Sequence, residues 1–135
     1  GIAEGLSLGK NMNAYLMMQG LKEMQRLGQA LLADPETFLG PAGLGDLSLT
    51  CMSSQSRNQR IGVLIGQGFS STEAQKKIGL LSEGVLNTRA ICELAQRKKL
   101  TLPICKMVYT VLSDKLPPQE AIRYLINDLK PHGTK

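Results

Sequence analysis

The 135-residue sequence has no tryptophan, only 4% aromatic residues and one histidine, His132. Too few rings are present for the stacking platform on which single-stranded nucleic-acid binders rely. The three cysteines, Cys51, Cys92 and Cys105, contain no CxxC pair. An odd count with that spacing and a lone histidine argues against a structural zinc site or a disulfide framework, so reduced thiols are expected. No apolar run approaches the roughly 20 residues of a membrane span, and the opening GIAEGLSLGK lacks the basic start and apolar core of a signal peptide. Alternating strand patterns do not recur along the chain either. What remains is a helical protein of one domain, 42% hydrophobic, with a formal net charge of +5. Part of that charge lies in the tail LKPHGTK, and the rest suits a phosphate-bearing small molecule at least as well as DNA.

Helical spacing is present throughout. From Met12 to Leu32, Leu16, Met17, Leu21, Met24, Leu27 and Leu31 share one face, with Lys22, Glu23, Gln25 and Arg26 mostly on the other. Gly20 and Gly28 weaken this helix, so close packing against a neighbour is their expected use. Asp34 and Pro35 read as an N-cap and first helical position of a short helix to Phe38. Asn58 to Leu64 reads as helix closed by Gly66 and Gly68, and Ser70 to Glu73 has capping-box spacing. Val85–Arg97 is a further helix with a basic end, Pro103 opens another, and Pro117-Pro118 opens the last, with Ala121, Ile122, Leu125 and Ile126 as its buried stripe. The expected architecture is all-α, with residues 1–130 as one helical domain and 131–135 as a basic flexible tail.

Between these helices stands GLGDLSLTCMSSQSRNQR, Gly43 to Arg60. Gly43 and Gly45 permit either positive φ or the close approach of a ligand. Asp46 falls at a helix start, where capping is the commoner role of an aspartate. Ser56, Arg57 and Asn58 precede the next helix, whose free N–H groups together with a forked guanidinium can hold an anion. Cys51 reads as a small buried apolar residue, since no histidine partner lies in a helical segment.

The run AGLGDLSLTCMSSQSRNQRIG, Ala42 to Gly62, resembles the signature of bacterial NAD(P)-dependent glycerol-3-phosphate dehydrogenases. GIAEGLSLGKN, GLKEMQRLG, DPETFLG, LLSEGVLNTRAICELA, PICKMVYTVL and PPQEAIRYLINDLK resemble further segments of that family in the same order. The resemblance implies the helical substrate-binding domain of an enzyme that interconverts sn-glycerol 3-phosphate and dihydroxyacetone phosphate, making a glycerophospholipid precursor in the cytoplasm. It implies substrate contacts from Asp46, Ser56, Arg57 and Asn58, with Thr50, one helical turn after Asp46, as an additional contact, and cofactor contacts from Arg57 and Glu83, with Leu81 two residues before Glu83, and NAD or NADP as cofactor. Spacing alone would make Glu83 a solvated acid at a helix start. No metal is implied, and no catalytic residue falls in this chain. The family's acid–base lysine and glycine-rich dinucleotide-binding domain match nothing here, and GLGDL lacks the spacing of such a loop. The chain therefore reads as the C-terminal substrate domain alone. Glu4, Ser7, Gln19 and Pro41 depart from residues common in the family, around the matched site rather than on it.

Other readings remain open on the residues alone. A non-catalytic helical module could bind phosphate or nucleic acid through Lys76-Lys77 and Arg97-Lys98-Lys99. A helical oligomerisation domain could form a homodimer through apolar surface that a cofactor domain would otherwise cover. The partner implied by the family resemblance is a small phosphosubstrate, with neither nucleic acid nor a membrane span.

Overall fold

The computed structural model describes residues 1–79 and 83–129, and the side chains among them except those of 83–86. Every regular element among the described residues is helical. A short α1, Ile2–Gly5, leads through Gly9 into the long α2, Lys10–Ala30. A 3-10 turn, Pro35–Phe38, and a π-helical turn, Pro41–Gly45, run directly into α3, Asp46–Met52. Then follow α4, Arg57–Gly66, α5, Ser71–Ile78, α6, Glu83–Arg97, α7, Pro103–Leu112, and α8, Pro118–Leu129. The expected tail, 131–135, lies outside the described residues.

The helix starts follow local chemistry. Asp34 accepts the Glu36 N–H at 3.0 Å, with Pro35 in the first helical position. Ser70 and Glu73 form the reciprocal capping box, and α5 ends at Gly79 in the left-handed conformation, φ 83°. Prolines also open α7 and the π-helical turn.

The helix α4 lies at the centre. Ile61 and Ile65 pack with Ala74 of α5, Val111 of α7 and Ala121 of α8, surrounded by Ile2, Phe69, Met107 and Leu112. Its other buried positions are Gly62, inside the helix expected from Asn58 to Leu64, and Gly66, expected to close it. In the structure Gly66 is still helical and meets α1. A Cβ on Gly66 would stand 2.4 Å from the Ile2 carbonyl oxygen, and one on Gly5 would stand 2.2 Å from that of Val63. Two Gly-x-x-x-Gly pairs, Gly1/Gly5 and Gly62/Gly66, therefore let two backbones touch where side chains would hold them apart.

The helix α2 packs on α7 and on the 3-10 turn. Gly28 receives the Phe38 ring, where a Cβ would fall 2.2 Å from ring carbons. Gly20 differs from expectation, since nothing would lie within 4 Å of its Cβ. Leu21 is buried as expected, Leu31 is half exposed, and Glu23, assigned to the polar face, is only 5% exposed. In α8, Ala121, Ile122 and Leu125 are buried. The Tyr15 hydroxyl donates to the Leu129 carbonyl at 3.3 Å, tying α2 to α8.

Candidate functional site

The path from Gly43 to Arg60 builds two adjacent helix starts. Neither glycine takes the positive φ it would permit: Gly43 is buried with the Phe38 backbone against it, and Gly45 has helical φ. Because the π-helical turn feeds straight into α3, Asp46 is the first residue of a continuing helix. It makes no capping bond, so the commoner role of such an aspartate does not apply. Its carboxylate is exposed, and Thr50 follows one turn later on the same face.

Ser53 to Ser56 turn the chain from α3 into α4. The Ser53 hydroxyl accepts the Gln55 N–H at 3.2 Å, and its carbonyl accepts the Ser56 N–H at 3.0 Å. Ser56 is the N-cap of α4, with its Oγ accepting from Asn58 at 3.1 Å and from Gln59 at 3.3 Å. Those two bonds leave the hydroxyl hydrogen as a donor. Arg57 occupies the first helical position and is exposed. The sequence thus brings a cation, a helix N-terminus and a hydroxyl donor together at one point.

A cleft of about 370 Å³ opens beside this point. Thr50 and Asn58 line it, whereas Asp46, Ser56 and Arg57 do not. Cys51 also borders it and is exposed, which corrects the expectation of a small buried residue. Leu81 and the Glu83 side chain lie outside the described residues; the Glu83 backbone begins α6.

Sequence reasoning missed three polar residues at the cleft. Gln59 lines it and donates through Nε2 to Glu4, which also borders the cleft. Thr88 enters from α6. Asn13 enters from α2, and its Oδ1 is buried with no hydrogen-bond partner. The available signal was an amide three and four residues before Leu16 and Met17, on a face that should be apolar.

Among the described residues, no three His, Cys, Asp or Glu side chains meet in a way that could hold a metal ion. No helix there is long and apolar enough to cross a membrane.

Comparison with known proteins bears on this arrangement. The family described as NAD-dependent glycerol-3-phosphate dehydrogenase C-terminus matches residues 1–123. A glycerol-3-phosphate dehydrogenase (NAD(P)+) of Thermoanaerobacter sp. strain X514 is 48% identical over 132 residues, covering 98% of this chain and 40% of that protein. One from Baumannia cicadellinicola is 51% identical over 112 residues, 83% of this chain and 33% of that protein. The crystal structure of glycerol-3-phosphate dehydrogenase from Coxiella burnetii superposes with a TM-score of 0.90 at 43% identity, over 93% of this chain and 38% of that one. The chain thus spans between a third and two fifths of the length of these relatives.

Proposed function

This chain belongs to the family of NAD-dependent glycerol-3-phosphate dehydrogenase C-terminal domains, and from that premise we propose that it is the substrate-binding part of an enzyme interconverting sn-glycerol 3-phosphate and dihydroxyacetone phosphate. The observation that carries the reading is the start of α4, where the Ser56 cap, the exposed Arg57 and Asn58 follow directly on α3, the helix that bears Asp46 and Thr50 and packs on α4. Arg57 holds the phosphate by two parallel N–H···O bonds, and the helix N-terminus adds a favourable field. The Ser56 hydroxyl donates to a substrate oxygen. Asp46 accepts a hydrogen bond from a substrate hydroxyl, and Thr50 and Asn58 orient the carbon skeleton from the cleft wall. Held at both ends, the reacting carbon has one allowed orientation, which lowers the entropic part of the barrier.

The nicotinamide cofactor, NAD or NADP, supplies hydride transfer when bound. Arg57 suits its phosphates by the same charge, and Leu81 and Glu83 are assigned to it by resemblance. The rest of the cofactor site and the acid–base lysine belong to the remaining length of the protein. The same reading puts the enzyme in the cytoplasm, making a phospholipid precursor, with a small phosphosubstrate as its partner. NADH and NADPH oxidation by the full-length protein tests it. Turnover with dihydroxyacetone phosphate is expected, and equal turnover with unphosphorylated dihydroxyacetone would overturn the phosphate assignment.

A further inference from the structure

Helices α6 and α7 pack against each other through a short turn in which Lys99 takes a left-handed φ of 54° and Pro103 restarts the helix. That turn brings two cysteines, thirteen positions apart, face to face. The Sγ atoms of Cys92 on α6 and Cys105 in the first turn of α7 lie 3.5 Å apart, and the Cys92 thiol is 3.6 Å from the Cys105 carbonyl. Both are free thiols and both are half-buried. Ala95 and Leu102, both buried, flank them along the chain. The Cys105 backbone is held from a third helix, because the Glu23 carboxylate accepts the N–H groups of Ile104 at 2.6 Å and Cys105 at 3.0 Å.

We propose that Cys92 and Cys105 form an oxidation site that reacts with a hydroperoxide and closes to a reversible disulfide joining α6 to α7. The inference does not rest on the dehydrogenase reading. A disulfide needs sulfurs about 2.05 Å apart, so the pair must close by about 1.5 Å, within reach of small side-chain rotations. Two half-buried thiols already in contact find each other faster than either finds a thiol of another molecule.

Burial and the neighbouring Cys92 push the Cys105 thiol up to about 12, which makes Cys105 a poor first nucleophile and gives Cys92 the opening step. The Cys92 sulfur attacks one peroxide oxygen and the O–O bond breaks. Cys92 is left as a sulfenic acid, and the departing hydroxide takes the thiol proton as water. The Cys105 sulfur then attacks the Cys92 sulfur, the S–O bond breaks, and the second hydroxide leaves with the Cys105 proton. Two thiols and one peroxide become one disulfide and two waters, and a dithiol reductant reverses the change.

The test uses the full-length protein, hydrogen peroxide, alkylation of remaining thiols in denaturant, and tryptic peptide mapping. Cleavage after Arg89, Arg97, Lys99 and Lys106 puts the two cysteines on separate peptides, AICELAQR and LTLPICK. The expected product is these two peptides joined, two hydrogens lighter than their sum and separated again by dithiothreitol. In urea, with the pair no longer held together, the joined product should fall about tenfold relative to links involving Cys51. Recovery of both peptides singly alkylated, or equal linkage to Cys51 in the native protein, would overturn the proposal.

Discussion

The Glu23 carboxylate, on α2, accepts the N–H of Ile104 at 2.6 Å and so caps α7 from another helix. The residue that should cap α7 locally is Leu102, which has no acceptor to offer. Burial pushes the Glu23 carboxyl above its ordinary 4.5, outweighing the downward pull of the two N–H bonds and of Arg26.

A pH dependence follows from that raised value. Between 4.5 and the raised value, the folded chain holds a proton that the unfolded chain has released. Stability should therefore fall as pH rises through that window and level off above it. Glu23→Gln should remove this contribution, and Glu23→Ala, which strands two partly buried N–H groups, should cost about 2 kcal/mol at neutral pH. Urea unfolding of the three proteins from pH 4 to 8 checks both statements. Parallel profiles for wild type and Glu23→Gln would contradict the titration argument.

Ser7 is a non-glycine residue held in left-handed backbone, with φ 57°. A Cβ in left-handed backbone costs about 1–2 kcal/mol, of which glycine's greater unfolded-state freedom returns a part. Ser7→Gly should stabilise the chain by about 1 kcal/mol. An unchanged or lower urea midpoint would show that the hydroxyl compensates for the backbone.

Two glycine substitutions should act in opposite directions. Gly5→Ala places a methyl 2.2 Å from the Val63 carbonyl oxygen and 2.9 Å from the Gly66 Cα. Both obstacles are backbone, so α1 must move off α4, at a cost of about 3 kcal/mol. Gly20→Ala meets nothing within 4 Å and should gain about 1 kcal/mol from helix propensity alone. Thermal melts of the pair measure the two signs together, and equal shifts would refute the crossing argument.

These cases also show which features were legible. Asp34 and Ser70 could be read as helix starts, because capping is local chemistry within three residues. Glu23 follows Leu16 by seven positions, two turns along one face, yet a charge in that register reads as solvated, because its partners lie 81 and 82 residues away. Gly66 reads as a stop, since nothing local distinguishes a terminating glycine from one that admits another backbone. The Ser56-Arg57-Asn58 triplet was legible through resemblance. The cleft beside it was not, because Asn13, Gln59 and Thr88 come from three helices whose packing no spacing encodes.

Arg57 offers the sharpest test of the site. It is exposed at the first position of α4, so its loss should change stability by no more than about 0.5 kcal/mol. Any large kinetic effect must then come from bound anions. In the full-length protein, Arg57→Ala should lower kcat/KM about 100-fold for dihydroxyacetone phosphate, the worth of a charged, two-pronged hydrogen bond of about 2.7 kcal/mol. Arg57→Lys keeps the charge but not the fork and should recover about tenfold of that loss. If Arg57 also meets the cofactor, the KM for NADH should rise in the alanine variant, whereas a phosphate-only role would leave it unchanged. Near-normal turnover and KM for both substrates would remove Arg57 from the site, and with it the anion-binding role assigned to the start of α4.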